Sequence, residues 1–211
     1  PEGKKKPLAV SGYTFTKDLA KVLIYTNTRR VWRVHSRGDY WVLDRVSGKL
    51  HQLGGKEASE ATLMFAKFSP ADSNRVAYVR DKNVYVEDLA TGWIEVLTKR
   101  SRDTVINGTF DWVYEEELGL RDGFRWSPDG KRIAYWQMDE EGVKEMHMIN
   151  NVPGNYPQVV TFRYPKVGET NARARVGVVS ADGGETTWVR VEGDPRNHYI
   201  ARMDWADNSK E

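Results

Sequence analysis

The stretch that decides the fold is Trp126-Ser127-Pro128-Asp129-Gly130-Lys131-Arg132-Ile133-Ala134-Tyr135, in which a polar turn leads into a short apolar strand. Proline presets one backbone angle of the turn and glycine accepts a positive φ, so residues 127–130 predict a tight turn. Residues 15–25 and 68–78 share the pattern: an aromatic residue, a polar turn, and a strand that ends in tyrosine. A further copy begins at Trp205. The pattern is therefore an internal repeat.

Each copy predicts two strands joined by a turn, and two copies are followed by a second strand pair. In these pairs, Asp44 and Gly48 occupy positions equivalent to Asp88 and Gly92. Four short strands per repeat are typical of a β-propeller blade. We therefore predict an all-β fold, a partial β-propeller of about three four-stranded blades and a stub. A β-sandwich with coincidental hairpins is the alternative.

The blades and the segments between them give the predicted domain organisation. The four-stranded units lie near residues 13–54, 65–98 and 124–192, the stub at 203–211 and an insertion at 99–123. Within the insertion, Tyr114-Glu115-Glu116-Glu117-Leu118 is the best candidate for a short helix. Insertions into repeats map to one face, which is often the binding face. Because three blades leave open sheet edges, residues 1–211 are expected either to be part of a larger ring, which we favour, or to pair these edges in another way.

Composition and missing motifs exclude several classes of function. The 211 residues contain no cysteine, which excludes disulfides, thiolate metal sites and a cysteine nucleophile. The net charge of +2 argues against a nucleic-acid binder, which usually has a dominant basic face. The four histidines lack metal-ligand spacing, and no nucleotide-binding or nucleophile-elbow motif occurs. We therefore predict no metal, no cofactor and no catalytic residue in this chain.

The charge is unevenly distributed along the chain. Residues 1–37 contain 9 basic and 2 acidic residues, whereas residues 101–150 contain 6 basic and 11 acidic ones. The acidic stretch includes three adjacent glutamates, Glu115, Glu116 and Glu117. They form either an exposed acidic helix start, which the helix dipole favours, or a cavity site in which two carboxylates hold an ammonium group.

The segment Asp111-Trp112-Val113-Tyr114-Glu115-Glu116-Glu117 resembles the double-glutamate motif of the dipeptidyl peptidase IV family of serine peptidases. Trp32-Arg33 with His35-Ser36 resembles the arginine segment of that family, and residues 126–135 resemble the blade strand after the glutamates. Tyr164-Pro165-Lys166-Val167-Gly168, followed by Asn171, resembles a further family segment. The resemblance spans roughly residues 25–171, with the motifs in the family's order.

The resemblance implies an eight-bladed N-terminal propeller attached to a C-terminal α/β-hydrolase domain that carries a Ser-Asp-His triad and lies outside this chain. Motif alignment puts the family's two amine-binding glutamates on Glu116 and Glu117, and its substrate-carbonyl arginine on Arg33. Glu115 becomes the preceding, non-binding acid. Relative to the mammalian spacing, Val34 is an extra residue after Arg33. The implied enzyme removes N-terminal dipeptides with proline or alanine as second residue, and this chain alone is expected to be inactive.

The implied partners are peptide N-termini, the chain's own hydrolase domain and a second copy in a homodimer, without nucleic acid. The implied location is periplasmic or secreted in a bacterium, and membrane anchoring is compatible with it. Three alternatives stay open: a family relative that has lost its nucleophile, a tripeptidyl peptidase in which the distance from the ammonium site to the cleaved bond is altered, and a TolB-like propeller that binds proteins. The carboxylates of residues 115–117 separate the last alternative from the family, because a generic propeller has no need for them.

Overall fold

The computed structural model describes residues 7–211, which are almost entirely β-structure. The first unit is an antiparallel meander of four strands. Its strands are β1 (Val10–Phe15), β2 (Lys21–Val31), β3 (Val34–Asp44) and β4 (Leu50–Gln52).

The second unit repeats the same meander. Its strands are β5 (Leu63–Phe68), β6 (Arg75–Arg80), β7 (Asn83–Asp88) and β8 (Ile94–Val96). A short bridge, in which Arg37 and Gly38 of β3 pair with Met64 and Leu63 of β5, joins the two units into one hydrogen-bonded sheet. The predicted equivalence of the two units is thus confirmed strand by strand.

The predicted equivalence extends to the β3–β4 and β7–β8 turns, which are built in the same way. The Asp44 side chain accepts from the Ser47 amide at 2.8 Å, and the Asp88 side chain accepts from the Thr91 amide at 2.9 Å. Both turns end on a glycine with positive φ, 70° at residue 48 and 74° at residue 92. The aspartate and the glycine are therefore needed at this spacing, since the side chain bonds its own turn and glycine accepts the left-handed conformation.

The third unit is interrupted twice. Its elements in chain order are β9 (Val105–Asn107), α1 (Trp112–Glu116), β10 (Phe124–Trp126), β11 (Arg132–Asp139), β12 (Glu145–Asn150), β13 (Gln158–Arg163), β14 (Arg173–Ser180) and β15 (Thr187–Trp188). Strands β10, β11, β14 and β15 form the four-stranded meander, and β9 pairs with the far end of β11. Strands β12 and β13 form a separate two-stranded arm between β11 and β14.

The segment after β15 contains no further strand among the described residues, so the stub at 203–211 is present only as an irregular segment. It packs on the third unit, where the Trp205 indole donates to the Arg125 carbonyl at 3.1 Å and the Ser209 hydroxyl accepts from the Asp129 amide at 3.0 Å. The unit boundaries, including residues 203–211 as the start of a fourth blade, stay a prediction.

Apolar side chains fill the spaces between neighbouring units. One cluster, which includes Leu23, Val42 and Tyr78, joins the first and second units. Another, which includes Val84 and Ile133, joins the second and third units. Face-to-face packing of successive antiparallel meanders is the arrangement of propeller blades, so the chain folds as a partial β-propeller.

Candidate functional site

The short helix α1 lies on the insertion that carries the three glutamates. Asp111 caps its N-terminus, because the Asp111 side chain accepts from the Tyr114 amide at 3.1 Å. Tyr114 is 2% exposed, stacks on Phe110 and accepts from the Ile200 amide through its hydroxyl at 2.9 Å. The cap and the buried tyrosine thus hold the helix that carries the glutamates in place.

The insertion leaves and re-enters the sheet at one point. The Gly108 amide donates to the Trp136 carbonyl at 2.9 Å, and the Trp136 amide donates to the Gly123 carbonyl at 3.0 Å. The Gly123 amide donates in turn to Gly108. Residues 108–123 therefore form a loop between β9 and β10 whose two ends are hydrogen-bonded to each other and to β11. We call the paired ends, Gly108 and Gly123, the glycine neck.

The three glutamates lie in three different environments. Glu115 is 3% exposed, and burial raises the pKa of its carboxyl to about 7, although Arg121 opposes the shift. The Glu116 side chain is 8% exposed and pairs with the Arg33 guanidinium. Glu117 is exposed and lines a cavity of about 470 Å³. A uniformly solvated acidic helix start is therefore wrong for two of the three residues.

Arg33 lies at the tip of the hairpin formed by β2 and β3. Val31 and Val34 pair across a two-residue turn made of Trp32 and Arg33. Val34, the extra residue of the motif, is thus an ordinary member of the ladder. The Nε–H of Arg33 donates to Glu116 Oε2, which raises the pKa of the guanidinium.

The structure therefore pairs Arg33 with Glu116, whereas the neighbouring Glu117 forms no ion pair with Arg33. Glu116 Oε1 is buried and has no hydrogen-bond partner within residues 7–211. Glu117 makes no side-chain ion pair in the described part of the chain, and its cavity is also lined by Tyr164, Lys166 and Asn171. These last three residues belong to the downstream motif of the sequence, so the fold brings the two motifs to one surface. Two carboxylates on consecutive residues and one guanidinium can together bind an ammonium group and a carbonyl oxygen.

A second cavity, of about 700 Å³, lies on the other side of the glutamate helix. It is lined by both signs of charge, including Arg37, Lys82, Asp111, Glu115 and Glu140. Burial raises the pKa of Asp111 to about 6 and that of Glu140 to about 7. The site thus contains three buried carboxyls whose pKa values are raised, those of Asp111, Glu115 and Glu140, and the sequence pattern did not predict these shifts. Burial was the missing signal, because it depends on tertiary packing.

Aromatic residues around the site were also missed. Trp32 packs on Phe162 and Trp112 packs on Tyr164, so the β12–β13 arm contacts both the arginine turn and the glutamate helix. The two-residue spacing of Phe162 and Tyr164, which places both rings on one side of a strand, was the available signal.

Residues 16–211 match the model of the dipeptidyl peptidase IV N-terminal region. The chain belongs to the dipeptidyl peptidase IV family. Membership of this family excludes the unrelated TolB-like propeller. Because the matching model is that of the N-terminal region, the chain corresponds to that region of the family's proteins. Among residues 7–211 there is no helix long and apolar enough to cross a membrane, and no group of three or more histidine and acidic residues arranged to hold a metal.

Relatives of the dipeptidyl peptidase IV family are similar over almost the whole chain. Dipeptidyl aminopeptidase B of Saccharomyces cerevisiae is 32% identical over 95% of this chain and 25% of its own length. A probable dipeptidyl peptidase 4 of Trichophyton verrucosum is 31% identical over 93% of this chain and 26% of its own length. The crystal structure of Porphyromonas gingivalis dipeptidyl peptidase 4 matches 98% of this chain and 29% of that one, with a TM-score of 0.86 and 28% identity. The chain thus spans about a quarter of the length of the curated relatives it matches.

Proposed function

We propose that this chain is the substrate-recognition part of a serine-type dipeptidyl peptidase, and that Glu116, Glu117 and Arg33 bind the N-terminus of a peptide. The observation that carries the proposal is the state of Glu116, whose Oε2 is held by Arg33 while its buried Oε1 has no donor in the described chain. A buried acceptor without a donor is costly, and an ammonium group brings three donors. Relatives named dipeptidyl peptidases support the same reaction for the longer protein.

The proposed mechanism is positioning. Glu116 and Glu117 hold the substrate ammonium, and Arg33 donates to a backbone carbonyl of the same peptide. With its first nitrogen fixed, the peptide presents the bond after its second residue to a nucleophile on the proposed C-terminal α/β-hydrolase domain. Holding the reactants in this geometry removes much of the entropic barrier to the reaction. We also propose, on the family resemblance alone, that the enzyme prefers peptides with proline or alanine as their second residue.

The test is made in the full-length protein that carries this region. Glu116→Ala, Glu117→Ala and Arg33→Ala are compared with wild type on Ala-Pro-p-nitroanilide. Loss of a charge-assisted hydrogen bond to the substrate is expected to lower kcat/KM by about 10- to 100-fold in each glutamate variant. Glu60→Ala, which removes an exposed glutamate with no side-chain contact recorded in the described structure, is the matched control and should equal wild type.

Three further results decide between the proposal and its alternatives. An N-acetylated substrate should not be cleaved, because it has no ammonium group. Mass spectrometry of products from a longer peptide should find dipeptides, whereas tripeptides would favour the tripeptidyl alternative. Wild-type kcat/KM in both glutamate variants would contradict the proposal, and a full-length wild-type protein without turnover would leave only the non-catalytic alternative.

The assembly and location of the longer protein belong to the same proposal. A homodimer is expected from the resemblance, and the exposed Ile149, Val159 and Tyr156 of the β12–β13 arm offer apolar surface for it. Analytical ultracentrifugation of the full-length protein would measure the mass of the assembly. A periplasmic or secreted location, with membrane anchoring as its variant, is tested by cell fractionation followed by immunoblotting.

A further inference from the structure

Four aromatic rings form a continuous row between the arginine turn and the glutamate helix. The ring centroids are separated by 4.7 Å from Trp32 to Phe162, by 6.2 Å from Phe162 to Tyr164, and by 4.4 Å from Tyr164 to Trp112. One end of the row is the residue before Arg33, and the other is the first residue of helix α1. The row therefore spans the two elements whose side chains meet in the Arg33–Glu116 pair.

The first ring of the row belongs to a strained residue. Trp32 has a φ of 51°, a left-handed conformation that bulky residues rarely adopt, in a turn position where glycine is usual. Strain of this kind persists only where the surroundings impose it. The edge-to-face contact with Phe162 is a favourable aromatic geometry that holds the Trp32 ring in place. The conformation of the turn thus depends on the arm.

Arg33 has little else to fix its direction. Its side chain is 79% exposed, and Glu116 is its one hydrogen-bonding partner among the described residues. An exposed arginine loses considerable rotamer entropy when it is held in one geometry. Because the turn sets the direction of the Arg33 Cα–Cβ bond, a change at Trp32 shifts the whole guanidinium.

The row is distinct from the core of the described chain. None of the four residues belongs to the three buried apolar clusters, and Trp32 is 39% exposed. The arm that supplies Phe162 forms a separate two-stranded sheet. A role in general core packing does not account for rings in this position.

We propose that Phe162 and Tyr164 are positioning residues, which hold the Arg33 turn and the glutamate helix at the spacing that binds the substrate ammonium and carbonyl. The inference rests on the function proposed above for Arg33 and Glu116. Phe162 acts on the substrate only through Trp32 and Arg33, and Tyr164 acts through Trp112.

The test measures KM and kcat separately for the full-length protein on Ala-Pro-p-nitroanilide. Phe162→Ala is expected to raise KM about 5-fold with kcat within about 2-fold of wild type, since a loosened turn weakens binding shared by ground and transition states. Phe162→Tyr keeps the ring and should restore the wild-type KM. Trp93→Ala, which removes a ring that is 66% exposed and remote from this row, is the control.

The decisive measurement is made on the double variant. In the Arg33→Ala background, Phe162→Ala should change KM no further, because Phe162 acts through Arg33. An unchanged KM in Phe162→Ala, or an equal increase with and without Arg33, would overturn the positioning role while leaving the proposed function intact. If Arg33→Ala itself left KM at the wild-type value, the proposed function of Arg33 would fail first and this inference with it. Thermal denaturation of each variant separates these effects from misfolding.

Discussion

Glu115 is the most deeply buried of the three adjacent glutamates. It is the fourth residue of helix α1 and is buried close enough to Asp111 and Arg121 to feel their charges, whereas Glu116 pairs with Arg33 and Glu117 is exposed. Its Oε2 is buried without a hydrogen-bond partner in the described chain, and the pKa of its carboxyl is raised to about 7, mainly by burial. A buried carboxyl of this kind is neutral at moderately acid pH and becomes a buried charge as the pH rises.

The raised pKa predicts a pH-dependent opening of the glutamate segment. Because the folded state holds the proton more tightly, the stabilisation is fully present below pH 4.5 and is lost as pH rises to about 7. Protection of the Tyr114 amide from hydrogen exchange, corrected for intrinsic rates, should therefore fall between pH 5 and pH 8. Glu115→Gln removes this titration and should reduce the change by on the order of 1–3 kcal/mol.

The remaining slope in the Glu115→Gln variant should come from the buried Asp111 and Glu140, whose pKa values are raised in the same direction. Glu117→Gln, at an exposed neighbouring position, is the control and should keep the wild-type slope. Equal slopes in wild type and Glu115→Gln would contradict the assignment of the titration to Glu115.

At the scale of elements, the glutamate loop depends on its glycine neck. A Cβ added to Gly123 would lie 2.6 Å from the Gly108 carbonyl carbon and 2.8 Å from the Thr109 nitrogen. Both contacts are with backbone, which cannot move aside as a flexible side chain can. The close approach is what lets residues 108–123 leave the sheet without breaking the hydrogen bonds of Trp136.

Gly123→Ala is therefore expected to force the neck apart and to destabilise the loop by about 1–3 kcal/mol. The amide of Tyr114 should lose hydrogen-exchange protection, and kcat/KM of the full-length protein should fall because Glu116 shifts relative to Arg33. Gly12→Ala in strand β1 is the matched control, since its added Cβ would meet the nearest atom at an ordinary 3.9 Å. Normal protection of the Tyr114 amide in Gly123→Ala would contradict this account of the neck.

The elements themselves were largely predictable from the chain. Local chemistry specifies turns such as Asp44–Gly48, because a side chain there bonds its own backbone. The helix predicted at residues 114–118 lies two residues earlier, at Trp112–Glu116, because the Asp111 side chain caps its N-terminus. The β12–β13 arm was not predicted to stand apart from the blade, because whether a hairpin joins a neighbouring sheet depends on contacts distant in sequence.

At the scale of the whole molecule, the second and third units are joined by a buried polar network as well as by apolar packing. Asn107 is 0% exposed, donates to Asn83 Oδ1 at 3.1 Å and accepts from Gln137 Nε2 at 2.7 Å. The side-chain oxygen of Gln137, Oε1, accepts in turn from the Arg175 guanidinium. Each of these amides depends on the others for its hydrogen bonds, so the network fixes one blade against the next.

Asn107→Ala should accordingly weaken the contact between the two units. It leaves the buried amide donor of Gln137 unsatisfied, which is expected to cost about 1–3 kcal/mol, whereas Asn83 Oδ1 still accepts from the Thr98 hydroxyl. Chemical denaturation of the protein and limited proteolysis of the 99–123 insertion would measure the effect. Asn155→Ala, at an exposed turn position, should leave both unchanged, and the same stability in Asn107→Ala as in wild type would refute the role of the network.

The repeat, the all-β architecture, several turn residues and the family could be predicted from the chain, because each depends on neighbours within a few positions or on a motif read in order. The burial of Glu115, the pairing of Glu116 with Arg33 and the row of aromatic rings beside that pair became visible only in the folded protein. Residues 33 and 116 are separated by 83 positions, and 32 and 162 by still more. Such contacts, and the burial that shifts a carboxyl pKa, follow from how the blades pack, which no local pattern encodes.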